Sequence, residues 1–309
     1  MARKFSVIIP VYFNEESLPG TLERLGAVLD KLKNYDSEIV FVEDGSGDKS
    51  LELLLRRQKS DRRIKIVKLT RNFGSMAAIQ AGFMHAGGDC VGMISADLQD
   101  PPELFLDMIA HWEKGIKTVF AVRKDRKDPL ASKFFSNTYY ALLRRFGVRG
   151  YPPGGFDFFL LDRQVVNELN AIHEKNTHIM PLIFWLGYEH VLLPYVRQKR
   201  QKGTSRWTWN KKIKLFMDSF IAFSYVPIRA VFVLGMLFAV ISFFAGLLIL
   251  VSWISGGQPV EGWAMVMTFV AFFGGVQMIF TGIIGEYLWR TLDASRKRPQ
   301  YVVDRVYNP

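Results

Sequence analysis

The sequence predicts an α/β fold, a mostly parallel sheet with flanking helices, followed by an interfacial amphipathic helix and two transmembrane helices. Two patterns carry this expectation. From the N-terminus to about residue 190, short apolar runs alternate with helix-like amphipathic stretches, as strands and helices do in a doubly wound sheet. Further on, two long runs are apolar on every face and carry no charge, unlike core helices, which usually keep a polar stripe.

Taken in order, residues 5–9, 38–42, 64–69, 90–94 and 118–122 read as strands, with 156–161 and 190–196 as two more. Residues 17–33 and 49–59 read as amphipathic helices between them. The first apolar run ends at Pro10, which suits a first strand and not a signal peptide. Residues 209–225 alternate lysines with Ile213, Phe216, Met217 and Phe220, the pattern of a helix lying in a membrane interface. Residues 230–254 and 262–284 are each long enough, at about 1.5 Å per residue, to cross a hydrocarbon core of about 30 Å. The expected organisation is therefore a soluble region 1–208, an interfacial helix 209–225, a paired-span region 226–290 (spans near 229–254 and 262–285) and a tail 291–309.

The net charge is +11. Its densest part, Arg197, Lys199, Arg200, Lys202, Arg206, Lys211, Lys212 and Lys214, stands just before the first span. That position suits attraction to anionic headgroups rather than nucleic acid, so no nucleic-acid partner is expected. The loop between the spans has no Lys or Arg, so the positive-inside rule places the soluble region and the tail in the cytoplasm, at an inner (plasma) membrane. The single cysteine, Cys90, excludes an intrachain disulfide and reads as a buried thiol. Gly246, Gly274 and Gly275 permit close helix contact in a bilayer, which leaves a homo-oligomer open.

No Gly-x-Gly-x-x-Gly follows the first strand, no Gly-Lys-Ser/Thr phosphate loop occurs, and the five histidines lack zinc-ligand spacing. What remains is a set of carboxylates at predicted strand ends: Glu15, Glu43, Asp44, Asp48, Asp97 and Asp100. Ligands of open parallel sheets bind beyond the C-terminal ends of the strands. Acids gathered there repel one another unless a cation joins them. A hard divalent metal held by one or two carboxylates and by substrate phosphates suits that arrangement. Each acid taken singly is as readily a helix cap or a turn residue.

Read together, Pro10-x-Tyr12-x-Asn14-Glu15, Glu43-Asp44-Gly45-Ser46, Arg71-Asn72-Phe73-Gly74 and Asp97-Leu98-Gln99-Asp100-Pro101-Pro102-Glu103 resemble the ordered motifs of family-2 glycosyltransferases with a GT-A fold. The resemblance is closer to polyprenyl-phosphate hexose synthases: bactoprenol glucosyltransferases and, more distantly, dolichyl-phosphate mannose synthases. It continues through Arg200-x-x-Gly203-x-Ser205-Arg206-Trp207, both spans and the tail, and so covers nearly the whole chain. It implies a nucleotide-sugar donor, a polyprenyl phosphate acceptor in the membrane, and Mg²⁺ or Mn²⁺. By the resemblance, Pro10, Tyr12, Glu15 and Asp44 hold the nucleotide, and Asp97 and Gln99 bind the metal. Arg123 lies near the sugar or phosphates, and Arg200, Ser205 and Arg206 meet a phosphate. Asp157 acts as a base or orienting group, or else pairs structurally with an arginine.

Two positions depart from the pattern. Ser95 stands where the family usually has the first acid of Asp-x-Asp, and Phe159 stands where it often has arginine. The expected reaction is inverting transfer of a hexose, with UDP-glucose as donor and undecaprenyl phosphate as acceptor. GDP-mannose as donor, a processive polysaccharide synthase and a non-catalytic nucleotide-binding protein remain alternatives.

Overall fold

The computed structural model describes residues 3–124, 130–175, 177–198, 226–255 and 262–309. The chain divides into two compact units, Met1–Phe220 with Pro299–Pro309, and Ile221–Arg298.

The first unit is built on one eight-stranded sheet: β1 (Arg3–Val11), β2 (Tyr35–Glu43), β3 (Ile64–Leu69), β4 (Cys90–Met93), β5 (Thr118–Arg123), β6 (Phe158–Asp162), β7 (His190–Tyr195) and β8 (Val303–Tyr307). Their spatial order is β7-β5-β6-β4-β1-β2-β3-β8. The pairs β1/β2, β1/β4, β2/β3 and β5/β7 are parallel. The pairs β4/β6, β5/β6 and β3/β8 are antiparallel. Hence β1 to β5 and β7 all end on one edge, and β6 begins there.

The helices of this unit are α1 (Leu18–Leu29), α2 (Ser50–Gln58), α3 (Ser75–His85), α4 (Leu104–Glu113), α5 (Leu130–Phe146), α6 (Arg163–Ala171) and α7 (Ile179–Trp185). Helix α1 opens with Pro19 in its first turn and buries Leu18, Leu22, Leu25, Val28 and Leu29, one apolar face at helical spacing. Helix α6 is capped by Asp162, whose side chain accepts from the Gln164 N–H at 2.8 Å. In the core, Phe105 of α4 meets Phe5 and Phe158 edge-on, with centroids 5.2 and 4.8 Å apart. Gly92 makes this possible, since a Cβ there would run into the Phe105 ring. Cys90 is buried, as expected from its apolar setting, and burial pushes its thiol pKa up.

Several boundaries differ from the sequence expectation. Strand β6 starts at Phe158, because Phe156 leaves the ladder and stacks on Phe120 at 4.1 Å, after a turn with Gly154 and Gly155 at positive φ. This sets Asp157 immediately ahead of the strand. Strand β8 is the element the sequence hid: five residues with no clear alternation, paired to the outer edge of β3.

The second unit holds α8 (Val226–Ile254) and α9 (Trp263–Ser295). Both are long and apolar enough to cross a membrane. Phe238 and Phe273 meet edge-on between them, centroids 5.3 Å apart. Helix α9 runs past the end of the charge-free stretch, and Glu286 and Arg290 pair one turn apart at 2.8 Å across that extension. The amphipathic segment 209–225 lies outside the described residues.

Candidate active site

Three groups of side chains meet at the edge where the parallel strands end. The first is built from the loops after β1 and β2, which are stitched together. The Phe13 N–H donates to Ser46 Oγ at 3.1 Å and the Asn14 N–H to Ser50 Oγ at 3.0 Å. The Glu15 N–H donates to Asp48 Oδ2 at 3.2 Å, and Glu15 returns by accepting from the Lys49 N–H at 2.9 Å. Glu15 and Asp48 therefore hold the start of α2, much as single capping acids would. Phe13 sits at φ 56°, a left-handed conformation uncommon for a bulky residue and characteristic of constrained functional loops. Pro10 lies in β1 opposite Val42, and the Tyr12 ring meets Phe13 edge-on at 4.8 Å.

Asp44 is almost wholly buried, and its two oxygens accept from the Phe73 and Gly74 N–H groups at 2.7 and 2.9 Å. Burial raises its pKa, and these two bonds work against that rise. Its carboxylate thus anchors the Arg71-Asn72-Phe73-Gly74 loop to the end of β2. Gly45 is required beside it: φ is 68°, and a Cβ would stand 2.6 Å from the backbone of Arg71 and Asn72. Glu43 is buried and accepts from the Ser46 N–H.

The second group is the loop after β4. Ser95 Oγ lies 2.7 Å from Asp97 Oδ1 and 2.9 Å from Asp100 Oδ2. Asp97 also accepts from the Gln99 N–H at 3.2 Å. Leu98, between them, is the second bulky residue held left-handed, at φ 58°. Asp100 is 1% exposed and accepts from the Tyr195 hydroxyl at 2.5 Å. Arg197 Nε stands 3.6 Å from the same oxygen.

The third group joins the end of β5 to the start of β6. Arg123 and Asp157 form an ion pair. Burial lowers the Arg123 pKa, but Asp157, Tyr195 and Asp100 outweigh it and hold the guanidinium firmly protonated. Burial pushes the Tyr195 hydroxyl pKa up, and Asp100 adds to the rise. The segment after β7 is tied to the second group, since Gln198 N–H donates to Gln99 O at 2.9 Å and Gln99 Nε2 donates to Gln198 O at 3.4 Å. Arg24 braces both, with a two-point contact to Glu103 at 2.8 Å and one to Gln198 at 3.1 Å.

Pro10, Tyr12, Glu15, Asp44, Asp97, Gln99, Arg123 and Asp157 thus all reach one sheet edge. Arg200, Ser205 and Arg206 lie outside the described residues. The sequence pattern did not single out Tyr195 or the burial of Asp100, and did not foresee Ser95 as a bridge between two acids. The one available clue to Tyr195 was its position near the end of the strand expected over 190–196, two residues ahead of the basic run.

Among the described residues no group of three or more His, Cys, Asp or Glu side chains is placed to hold a metal ion. The Asp97 carboxylate and the carboxamide oxygen of Gln99, two residues on in the same loop, offer oxygen ligands. That set suits a hard divalent cation completed by substrate phosphate and water, and does not suit zinc.

Comparison with known proteins gives the following likenesses. Residues 6–169 match the family described as Glycosyl transferase family 2. An uncharacterized glycosyltransferase, YkcC of Bacillus subtilis, is 36% identical over 98% of this chain and 94% of its own length. The bactoprenol glucosyl transferase of Shigella phage SfV is 33% identical over 97% of this chain and 98% of its own. A prophage bactoprenol glucosyl transferase homolog of Escherichia coli is 32% identical over 98% and 99%. Among solved structures, mannosyl-3-phosphoglycerate synthase from Rubrobacter xylanophilus superposes with a TM-score of 0.48 at 16% identity, covering 76% of this chain and 75% of that one.

Proposed function

The chain belongs to glycosyl transferase family 2, and from that premise we propose that it transfers a hexose from a nucleotide-diphosphate sugar to a polyprenyl phosphate, with inversion at the anomeric carbon. We assign glucose from UDP-glucose as the transferred sugar and undecaprenyl phosphate as the acceptor. One observation carries this reading: the match to chains named bactoprenol glucosyl transferase runs end to end, through the sheet and both apolar helices.

In this reading the stitched loop 12–15 and the loop anchored by Asp44 cradle the nucleotide. Asp97, with Gln99 two residues on, would hold Mg²⁺ or Mn²⁺. The bound cation would neutralise charge developing on the leaving diphosphate. The acceptor phosphate, with a second pKa of about 6, is mostly dianionic near neutrality and is already a nucleophile. A strong base is then unnecessary. Alignment and charge stabilisation are what the protein supplies. Asp157 serves by fixing the Arg123 guanidinium toward the reacting phosphates. Arg200, Ser205 and Arg206 bind the acceptor phosphate, and the basic run draws the anionic carrier to the site. A polyprenyl tail leaves the bilayer only at about 0.8 kcal/mol per exposed CH₂, so the reaction belongs at the membrane surface. The two apolar helices anchor the chain there, with the sheet unit on the cytoplasmic side.

The test is a donor panel. Purified chain in detergent is given undecaprenyl phosphate and, separately, UDP-glucose, UDP-galactose, UDP-N-acetylglucosamine and GDP-mannose, with and without EDTA. The expected result is a lipid-linked glucose of inverted anomeric configuration that EDTA abolishes. Folded protein that makes no lipid-linked sugar from any donor would sink the reading.

A further inference from the structure

The buried carboxylate of Asp100 has no role in the transfer as described, yet it joins two groups that do. Its Oδ1 takes the Tyr195 hydroxyl hydrogen at 2.5 Å, and its Oδ2 stands 2.9 Å from Ser95 Oγ. The same Ser95 oxygen is 2.7 Å from Asp97 Oδ1. A serine hydroxyl has one hydrogen to donate. Two carboxylates therefore compete for it, one buried and one at the donor site. A buried carboxylate left short of donors carries a large desolvation cost, so the competition depends on what else supplies Asp100. Arg197 approaches only to 3.6 Å, outside hydrogen-bond range. The Tyr195 hydroxyl is the close donor. Its ring is fixed independently, packing edge-on against Phe158 at 6.3 Å.

We propose that Tyr195 is a positioning residue: by satisfying Asp100 it leaves the Ser95 hydrogen to Asp97, and so holds Asp97 in the orientation that receives the donor diphosphate and its cation. The inference rests on the reading of Asp97 given under the proposed function. Removing the tyrosine hydroxyl lets Asp100 claim the Ser95 hydrogen and withdraws that donor from Asp97. The effect must travel through Ser95.

The experiment is a double-mutant cycle on Mn²⁺-dependent UDP binding, read by calorimetry on the full chain in detergent. Tyr195→Phe keeps the ring packing. It is expected to weaken UDP binding about fivefold or more when Ser95 is present, and less than about twofold in a Ser95→Ala background. Ser95→Thr, which keeps the hydroxyl, is expected to restore the sensitivity to Tyr195→Phe. Equal factors with and without the Ser95→Ala change overturn the inference while leaving the functional reading intact. A wild-type chain that binds no UDP with Mn²⁺ overturns that reading and the inference with it.

Discussion

Arg123, the last residue of β5, and Asp157, the residue before β6, form an ion pair at the edge where the parallel strands end. The pair exists because β6 runs against its neighbours, so its beginning arrives where β5 finishes. Asp157 is about half exposed and Arg123 is mostly covered. The acid therefore faces outward from a guanidinium it holds in place.

Asp157→Asn should leave the fold intact and lower kcat by about 100-fold or more, since an unanchored guanidinium loses its alignment with the developing charge. Circular dichroism and single-turnover transfer measure the two halves of this claim. Full activity with an unchanged spectrum would remove Asp157 from the mechanism.

Ser95→Asp puts a third carboxylate between Asp97 and Asp100. Like charges at that spacing destabilise one another unless a cation joins them. The variant should melt at lower temperature in EDTA and recover most of the loss in millimolar Mn²⁺, a larger metal-induced shift than wild type shows. Identical shifts in the two proteins would mean that residue 95 does not face the cation.

Gly45→Ala should cost more than about 2 kcal/mol, because the added Cβ meets backbone atoms and the residue keeps a left-handed φ. The loop it displaces is the one anchored by Asp44, so UDP affinity should fall along with the melting temperature. A stable variant with normal affinity would show that the two loops can separate freely.

Glu38 supplies the pH dependence. Burial pushes its carboxyl pKa up, but hydrogen bonds from Lys65, Ser6 and the Gly87 N–H outweigh this and hold it at about 2, against an ordinary 4.5. A depressed carboxyl contributes stability that is fully present above pH 4.5 and is lost as pH falls toward 2. The amount is on the order of 3 kcal/mol. Across that window the melting temperature should fall more steeply with acid for wild type than for Glu38→Gln, which lacks the titrating group. Parallel profiles would disprove the assignment.

Deleting residues 302–309 removes β8 and leaves the edge of β3 unpaired. Three tertiary links go with it: Gln58 Nε2 to Tyr307 O at 3.0 Å, Thr70 N–H to Val302 O at 3.0 Å, and the Lys68–Asp304 pair. The truncated chain should lose roughly 4 °C or more in Tm and aggregate on storage in detergent. Unchanged melting and monodispersity would show that β8 is dispensable.

The sheet class, the positions of β1 to β7 within a few residues, both apolar helices and the set of strand-end acids are all legible in the chain before it folds. Those features follow from local periodicity and length, which a single sequence displays openly. Ser95 is visible as a departure for the same reason, because a missing charge shows wherever the pattern is written. The partners are a different matter, since they depend on which strands become neighbours. Strand direction brought Asp157 to Arg123, although more than thirty residues separate them in the chain. The antiparallel return of β8 to β3 joins residues more than 230 positions apart and leaves no local trace. Asp44 spends both carboxylate oxygens on the backbone of a distant loop, an anchoring contact that no local pattern displays. Tyr195 and Asp100 meet from β7 and the β4 loop, and neither residue type nor spacing foretold it. Periodicity is a property of neighbours along the chain, whereas hydrogen bonds and ion pairs are set by which ends of which strands the sheet lays side by side.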